Sequence, residues 1–184
     1  YWTDPLKLQK QTGILEKNAN VGLIFTNIHI CDRIRNEWTY NFYKNINMEK
    51  ILIFENHLKN KGYLAPLTWV IRKNLLSDAM DGIGNSVDGT FVIALNILKK
   101  SSIYYLRDIT GVKNEITNSA SNQKHIRSKY IYFKGLFETQ KLFMSKFPVD
   151  KTVSNYIYSE NYFSLLPIAI KLNDEKFIGE CRNY

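Results

Sequence analysis

The sequence predicts an α/β protein whose sheet layer is followed by a helical appendage. Three observations carry that expectation. The run Val21-Gly-Leu-Ile-Phe-Thr-Asn-Ile-His-Ile30 is mostly apolar over strand length, the pattern of a strand covered on both faces. Strand-like and helix-like stretches alternate through the first two thirds of the chain. From Gln123 the period lengthens, and Ile126, Tyr130, Phe133, Phe137 and Met144 recur at helical steps, which marks an amphipathic helix.

Each element follows from its local residues. Thr3-Asp4-Pro5 starts a helix, a cap residue ahead of a proline that needs no N–H in the first turn, and Asn18 to Asn20 stops it. Glu37 to Tyr43 reads as a polar strand near an edge. Met48 to Leu58 reads as one helix, with Ile51, Phe54, Glu55 and Leu58 along one side. Tyr63 to Ile71 is strand-like, restricted to an edge or bulge by Pro66. A short helix around Lys73 to Ala79 and a turn at Asp81-Gly-Ile-Gly-Asn85 follow. Asp88 then opens a helix to about Lys100. Its carboxylate suits the free N–H groups and positive dipole of a first turn. Ser102 to Leu106 and Ile109 to Val112 are two short strands. Pro148 ends the late helix, and Val153 to Leu172 forms another, interrupted or kinked at Pro167.

Composition narrows the function classes. With 184 residues, 45% of them apolar, the chain builds a real core and lies far from the disordered range. Cys31 and Cys181 stand alone, without a CxxC pair or histidines at metal spacing, so neither a disulfide framework nor a zinc site is indicated. No apolar run reaches bilayer length, and no secretory signal is present. The +8 charge favours an anionic partner, yet no dense basic motif points to nucleic acid.

Three stretches together resemble the middle of bacterial family 2 glycosyltransferases, which build surface polysaccharides. Tyr1-Trp-Thr-Asp-Pro-Leu-Lys-Leu-Gln-Lys-Gln11, Leu15-Glu-Lys-Asn18 and Val21-Gly-Leu-Ile-Phe-Thr26 form the most specific block. Tyr63 to Leu76, with Thr68 and Arg72, resembles the family's acceptor-side strand and the short helix after it. Ile103-Tyr-Tyr-Leu106, Thr110 and Asn118-Ser-Ala-Ser121 resemble the segment that closes the domain. The resemblance implies a partial GT-A fold, a mixed sheet with flanking helices. Residues 1–121 would be the acceptor-side half and 122–184 a C-terminal helical extension. In the family the Tyr-Trp pair follows an acidic Glu-Gly-Asp-Asp motif, so a divalent metal, Mg or Mn, is expected for the full-length enzyme with its main ligands upstream of Tyr1. The chain alone is therefore expected not to transfer sugar.

The resemblance also places the family's catalytic carboxylate at Asp88. An acceptor hydroxyl is a poor nucleophile until a base takes its proton, and a carboxylate within hydrogen-bond reach does so as attack proceeds. Trp2, Thr68, Arg72, Lys113 and His125 are the candidate substrate-binding residues. Trp2 can stack on a ring, Thr68 can bond a sugar hydroxyl, and Arg72, Lys113 and His125 can meet a diphosphate. Packing is the plainer role for Trp2, as a strand hydroxyl is for Thr68 and a solvated strand end for Arg72. Gly89-Thr-Phe-Val92 stands where the family commonly has aromatic residues, and Asn122 where it often has histidine. The implied partners are a nucleotide-sugar donor and a glycan or lipid-linked acceptor. The implied location is cytoplasmic, with peripheral contact at the inner face of the cell membrane. An unpaired sheet edge offers a surface for a second copy, hence a homo-oligomer. The competing reading is a non-catalytic carbohydrate-binding or scaffold module that keeps the fold without turnover.

Overall fold

The structure, a computed structural model, describes residues 1–116 and 125–184. The chain divides into two compact units: Tyr1–Gly84 with Asp88–Ile116, and Asn85–Val87 with the chain from residue 117 onward. The boundary expected at 121/122 and the Asn118–Ser121 and Asn122 positions lie outside the described residues.

The first unit is mixed α/β. It carries α1 (Lys7–Lys17), β1 (Val21–Asp32), β2 (Glu37–Thr39), α2 (Met48–Ile51), α3 (Phe54–Asn60), β3 (Val70–Ile71), α4 (Lys73–Ala79), α5 (Gly89–Lys100) and β4 (Ser102–Glu115). Strand β1 is the centre of a four-stranded sheet. On one edge it pairs in parallel with β4 over its whole length; on the other it meets β3 and β2, both antiparallel. Residues Val21 to Ile28 are all buried, as an apolar strand covered on both faces must be. Each large apolar side chain taken from water there contributes about 1.5–3 kcal/mol.

Buried polar groups set the register. Thr26, Thr68 and Thr110 are fully buried. The Thr26 hydroxyl meets that of Thr110 at 2.6 Å, and the Thr68 hydroxyl accepts the Thr26 N–H at 3.0 Å while donating to the Ala65 carbonyl at 2.8 Å. Unmet polar atoms in such a place would cost about 1–3 kcal/mol each, so the three hydroxyls hold three segments at fixed positions. Next to them β4 carries extra residues: Thr26 pairs with Leu106 but Asn27 with Ile109. That bulge joins what the sequence reads as two short strands into one.

Other differences have equally local causes. The strand expected over Tyr63 to Ile71 is a 3-10 turn, Pro66–Thr68, followed by the two residues of β3; the proline supplies no ladder N–H. The helix expected from Met48 to Leu58 is two, divided at Leu52–Ile53, where Ile53 is extended. Helix α1 begins at Lys7, with the Asp4 carboxylate taking the Leu6 N–H at 2.8 Å. The expected helices at Lys73–Ala79 and from Asp88 to Lys100 are found in place.

The second unit packs α6 (Ile126–Lys146), α7 (Lys151–Leu172) and α8 (Glu175–Arg182) around Phe137 and Phe177, whose rings meet edge-to-face at 6.4 Å. The buried side of α6 runs through Tyr130, Leu136, Phe137, Gln140 and Phe143. Ile126 and Phe133, expected on that side, are exposed. Lys134 takes the position four residues after Tyr130 and pairs with Asp174 at 2.5 Å. Helix α7 runs unbroken through Pro167, and Asn173 ends it in the left-handed conformation that asparagine tolerates. The Asp174 carboxyl, held by Lys134, the Phe177 N–H and Tyr130, is pulled down to about 2 and caps α8. Ser86 joins this unit through a 2.9 Å bond to Thr139, and Gly135 leaves the room that Val87 fills. Among the described residues no helix is long and apolar enough to cross a membrane.

His57 makes the stability of the first unit pH-dependent. It is fully buried against Phe91 and Gly62, and burial, offset only in part by the Ile51 backbone, pushes it down to about 4. The folded form therefore binds fewer protons than the unfolded chain between about pH 4 and 6.5. Stability is complete above that window and falls as pH drops through it, by about 3 kcal/mol in all. Urea unfolding at pH 7 and pH 4.5 is expected to show this slope, and His57→Leu to flatten it. An unchanged slope in the variant would place the titration elsewhere.

Candidate functional site

Asp88 occupies the N-cap of α5, as its place ahead of an apolar run requires. Its Oδ1 accepts the Thr90 N–H at 3.0 Å, the Phe91 N–H at 3.1 Å and the Thr90 hydroxyl at 2.6 Å. Phe91, Val92, Ala94, Leu95 and Ile97 bury one side of α5, so the carboxylate stands on a rigid mount and is itself half-buried.

Tyr63, distant in sequence, lies within range of its charge, and Lys113 and Glu115 gather at Tyr63. Tyr63 precedes the Pro66–Thr68 turn, and Lys113 and Glu115 end β4. Burial, then the Glu115 and Asp88 carboxylates, push the Tyr63 phenol up to about 12. It therefore keeps its proton at neutral pH and serves as a donor. The Lys113 ammonium lies 4.8 Å from the centre of the Tyr63 ring and 3.1 Å from Glu115 Oε1. This combines a fixed carboxylate, a protonated phenol, a cation and a second carboxylate. Such a group can take a proton from an alcohol and hold the developing charge. Tyr43 fixes the backbone beneath Tyr63: its buried hydroxyl accepts the Ala65 N–H at 2.8 Å and donates to the Tyr63 carbonyl at 3.2 Å.

Lys113 is thus the one candidate binding residue that meets the Tyr63 ring. Thr68 lies in the interior with its hydroxyl bonded on both sides, as described above, and presents no atom at the surface. Arg72 clamps the end of α1 to β1, its guanidinium reaching the carbonyls of Val21 at 2.7 Å, Leu15 at 2.5 Å and Asn18 at 3.0 Å. The Leu15 and Asn18 carbonyls belong to the C-terminal end of α1 and that of Val21 to the start of β1, so the arginine is held by the fold. His125 is exposed in the second unit, just before α6, and makes no capping bond.

Trp2 is half exposed. Residues Tyr1 to Thr3 lie along the outer edge of β4, bonded at Thr110 and Val112, and the indole N–H donates to the Leu67 carbonyl at 2.7 Å. The close approach requires Gly111, where a Cβ would fall 2.7 Å from Leu67 and 3.1 Å from the Tyr1 carbonyl. Beneath the indole, 4.2 Å from the ring centre, lies the buried ammonium of Lys7 with no hydrogen-bond partner; burial pushes it down. Among the described residues no three carboxylate, imidazole or thiol groups converge to hold a metal.

Sequence reading passed over Tyr63 and Glu115 as site residues because 25 or more residues separate either from Asp88 and no motif links them. Two substitutions distinguish fold from site. Arg72→Ala is expected to cost about 1–3 kcal/mol in chemical denaturation, because it removes three charged hydrogen bonds that join α1 to β1. Unchanged stability would free the arginine for a ligand. At Lys7 the cation–π contact returns about 2 kcal/mol against a desolvation penalty of several. Lys7→Met is thus expected to raise the melting temperature, and a lower one would show that the ammonium is compensated. Comparison with family models, with curated proteins and with solved structures found no match to this chain.

Proposed function

We propose that this chain carries the acceptor side of an inverting glycosyltransferase, with Asp88 as the general base. The observation that carries the reading is the Asp88 carboxylate fixed at the start of α5 by three hydrogen bonds to Oδ1, with its charge felt at the Tyr63 phenol. The family resemblance of residues 1–26 and 63–76 supports it independently. In the proposed step the acceptor hydroxyl attacks the anomeric carbon of a nucleotide sugar and its proton passes to the Asp88 carboxylate. The bond from that carbon to the diphosphate oxygen breaks on the opposite face, and nucleoside diphosphate leaves with the electron pair. Tyr63 donates a hydrogen bond to the acceptor oxygen's neighbourhood, and Lys113 offsets negative charge. Donor binding, and the divalent metal with it, is assigned to residues outside this chain. The acceptor is a glycan or lipid-linked glycan of surface polysaccharide synthesis, met at the inner face of the cell membrane.

A second reading, a carbohydrate-binding module without turnover, is favoured by the three capping bonds that engage Asp88 Oδ1. Asp88→Asn separates the two, because asparagine caps a helix as well as aspartate but takes no proton at neutral pH. In the complete reading frame that encodes this chain, the variant is expected to keep its melting temperature and donor binding. Nucleoside diphosphate release should fall about 10²–10⁴-fold. Equal release by both forms would remove Asp88 from the mechanism.

A further inference from the structure

We propose that the first unit holds an oligosaccharide at a second place, an open cleft between residues 41–52 and β4. The cleft encloses about 1280 Å³, and neither Asp88, Tyr63, Lys113 nor Glu115 lines it. Small-molecule sites measure roughly 300–1,000 Å³, so this one has room for several sugar rings. Asn41, Asn45 and Asn47 form one wall, and Tyr104, Tyr105 and Arg107 face them from β4.

Asn41 is held in place before any ligand arrives, and Asn47 Oδ1 accepts the Lys50 N–H at 3.1 Å. Asn27 Nδ2 donates to Asn41 Oδ1, and Asn27 Oδ1 accepts the Tyr43 N–H at 3.1 Å. The Asn41 backbone is left-handed, at φ 52°, and its N–H is taken by His29 Nδ1 at 3.0 Å. Tyr105 is fixed in turn by Phe25 and Tyr43, at 5.1 and 5.6 Å between ring centres. Such rigidity lowers the entropic cost of binding.

The chemistry of the lining selects the ligand class. Carboxamides both donate and accept, as sugar hydroxyls do, and tyrosine rings pack on the C–H faces of sugars while their hydroxyls bond outward. Charge is sparse and mixed. Lys44 and Arg107 make no ion pair among the described residues, Glu49 opposes them, and Asp108 is engaged by Lys10 at 2.6 Å. A nucleic acid needs a dense basic track, and a lipid chain an apolar one; this cleft is neither. A neutral glycan fits, and the two cations accommodate an occasional uronic acid. Its role as a remote holding site for an acceptor rests on the transfer proposed above, whereas binding itself does not.

Titration calorimetry on the purified chain tests the cleft, using hexasaccharide fragments of neutral and uronic-acid-containing bacterial polysaccharides, with glucose and inorganic diphosphate for comparison. At least one hexasaccharide is expected to bind about tenfold or more tightly than glucose, and diphosphate not at all. The pair Asn45→Ala, Tyr104→Ala removes two exposed side chains and is expected to weaken that binding about tenfold, 1.4 kcal/mol, with an unchanged melting temperature. No hexasaccharide binding, or binding that the pair leaves unchanged, overturns the proposal. Because donor and turnover are absent from this measurement, its failure is distinct from a failure of Asp88 as base.

Discussion

The first unit depends on one strand having partners everywhere. Strand β1 is buried from Val21 to Ile28, so each backbone N–H and C=O on both edges must be bonded within the protein. Strand β4 satisfies one edge and β3 and β2 the other. Two polar residues inside this apolar run, Thr26 and Asn27, determine how the neighbours align. Thr26 meets the hydroxyls of Thr110 and Thr68, while Asn27 ties the strand to Asn41 and Tyr43. Polar atoms that are costly to strand thus act as register marks, where leucine or valine would allow several alignments.

Through those marks the strand positions the candidate site. The bulge after Leu106 carries β4 onward to Lys113 and Glu115, and the Thr68 bond anchors the turn that follows Tyr63. Helix α5 packs its apolar side into the same unit and presents Asp88 at its start. The electrostatics follow: burial first, and then the charges of Glu115 and Asp88, disfavour the Tyr63 phenolate, while the Lys113 ammonium lies over the ring. In the proposed transfer, capping and proton acceptance are compatible, since a helix start both orients a carboxylate and keeps it from swinging away.

The second unit is stabilised by different means. Phe137, Phe177, Tyr158 and Tyr162 form an aromatic centre with edge-to-face contacts, and the Gln140–Asn161 amide pair, buried between α6 and α7, bonds at 3.0 Å. That pair fixes the axial alignment of two helices that aromatic packing alone leaves free to slide. The helical spacing expected of α6 pointed to the wrong side at Ile126 and Phe133. Helix periodicity is cyclic, and Lys134, whose aliphatic stem packs while its ammonium meets Asp174, took a place the spacing assigned to an apolar residue.

By itself the sequence determined the elements whose causes are local: the apolar run of β1, the cap-then-apolar pattern of Asp88 and α5, the short helix at Lys73–Ala79, and the stop at Pro148. Each depends on neighbours within a turn or two. Only the tertiary structure decided where Thr68 and Arg72 belong, because a threonine or arginine at a strand end looks the same in sequence whether it faces water or the core. It alone brought Lys113 and Glu115 to Tyr63, within range of the Asp88 charge, and it alone opened a cleft lined by amides from one segment and tyrosines from another. Proximity between residues far apart in the chain is a property of packing, and no spacing rule encodes it.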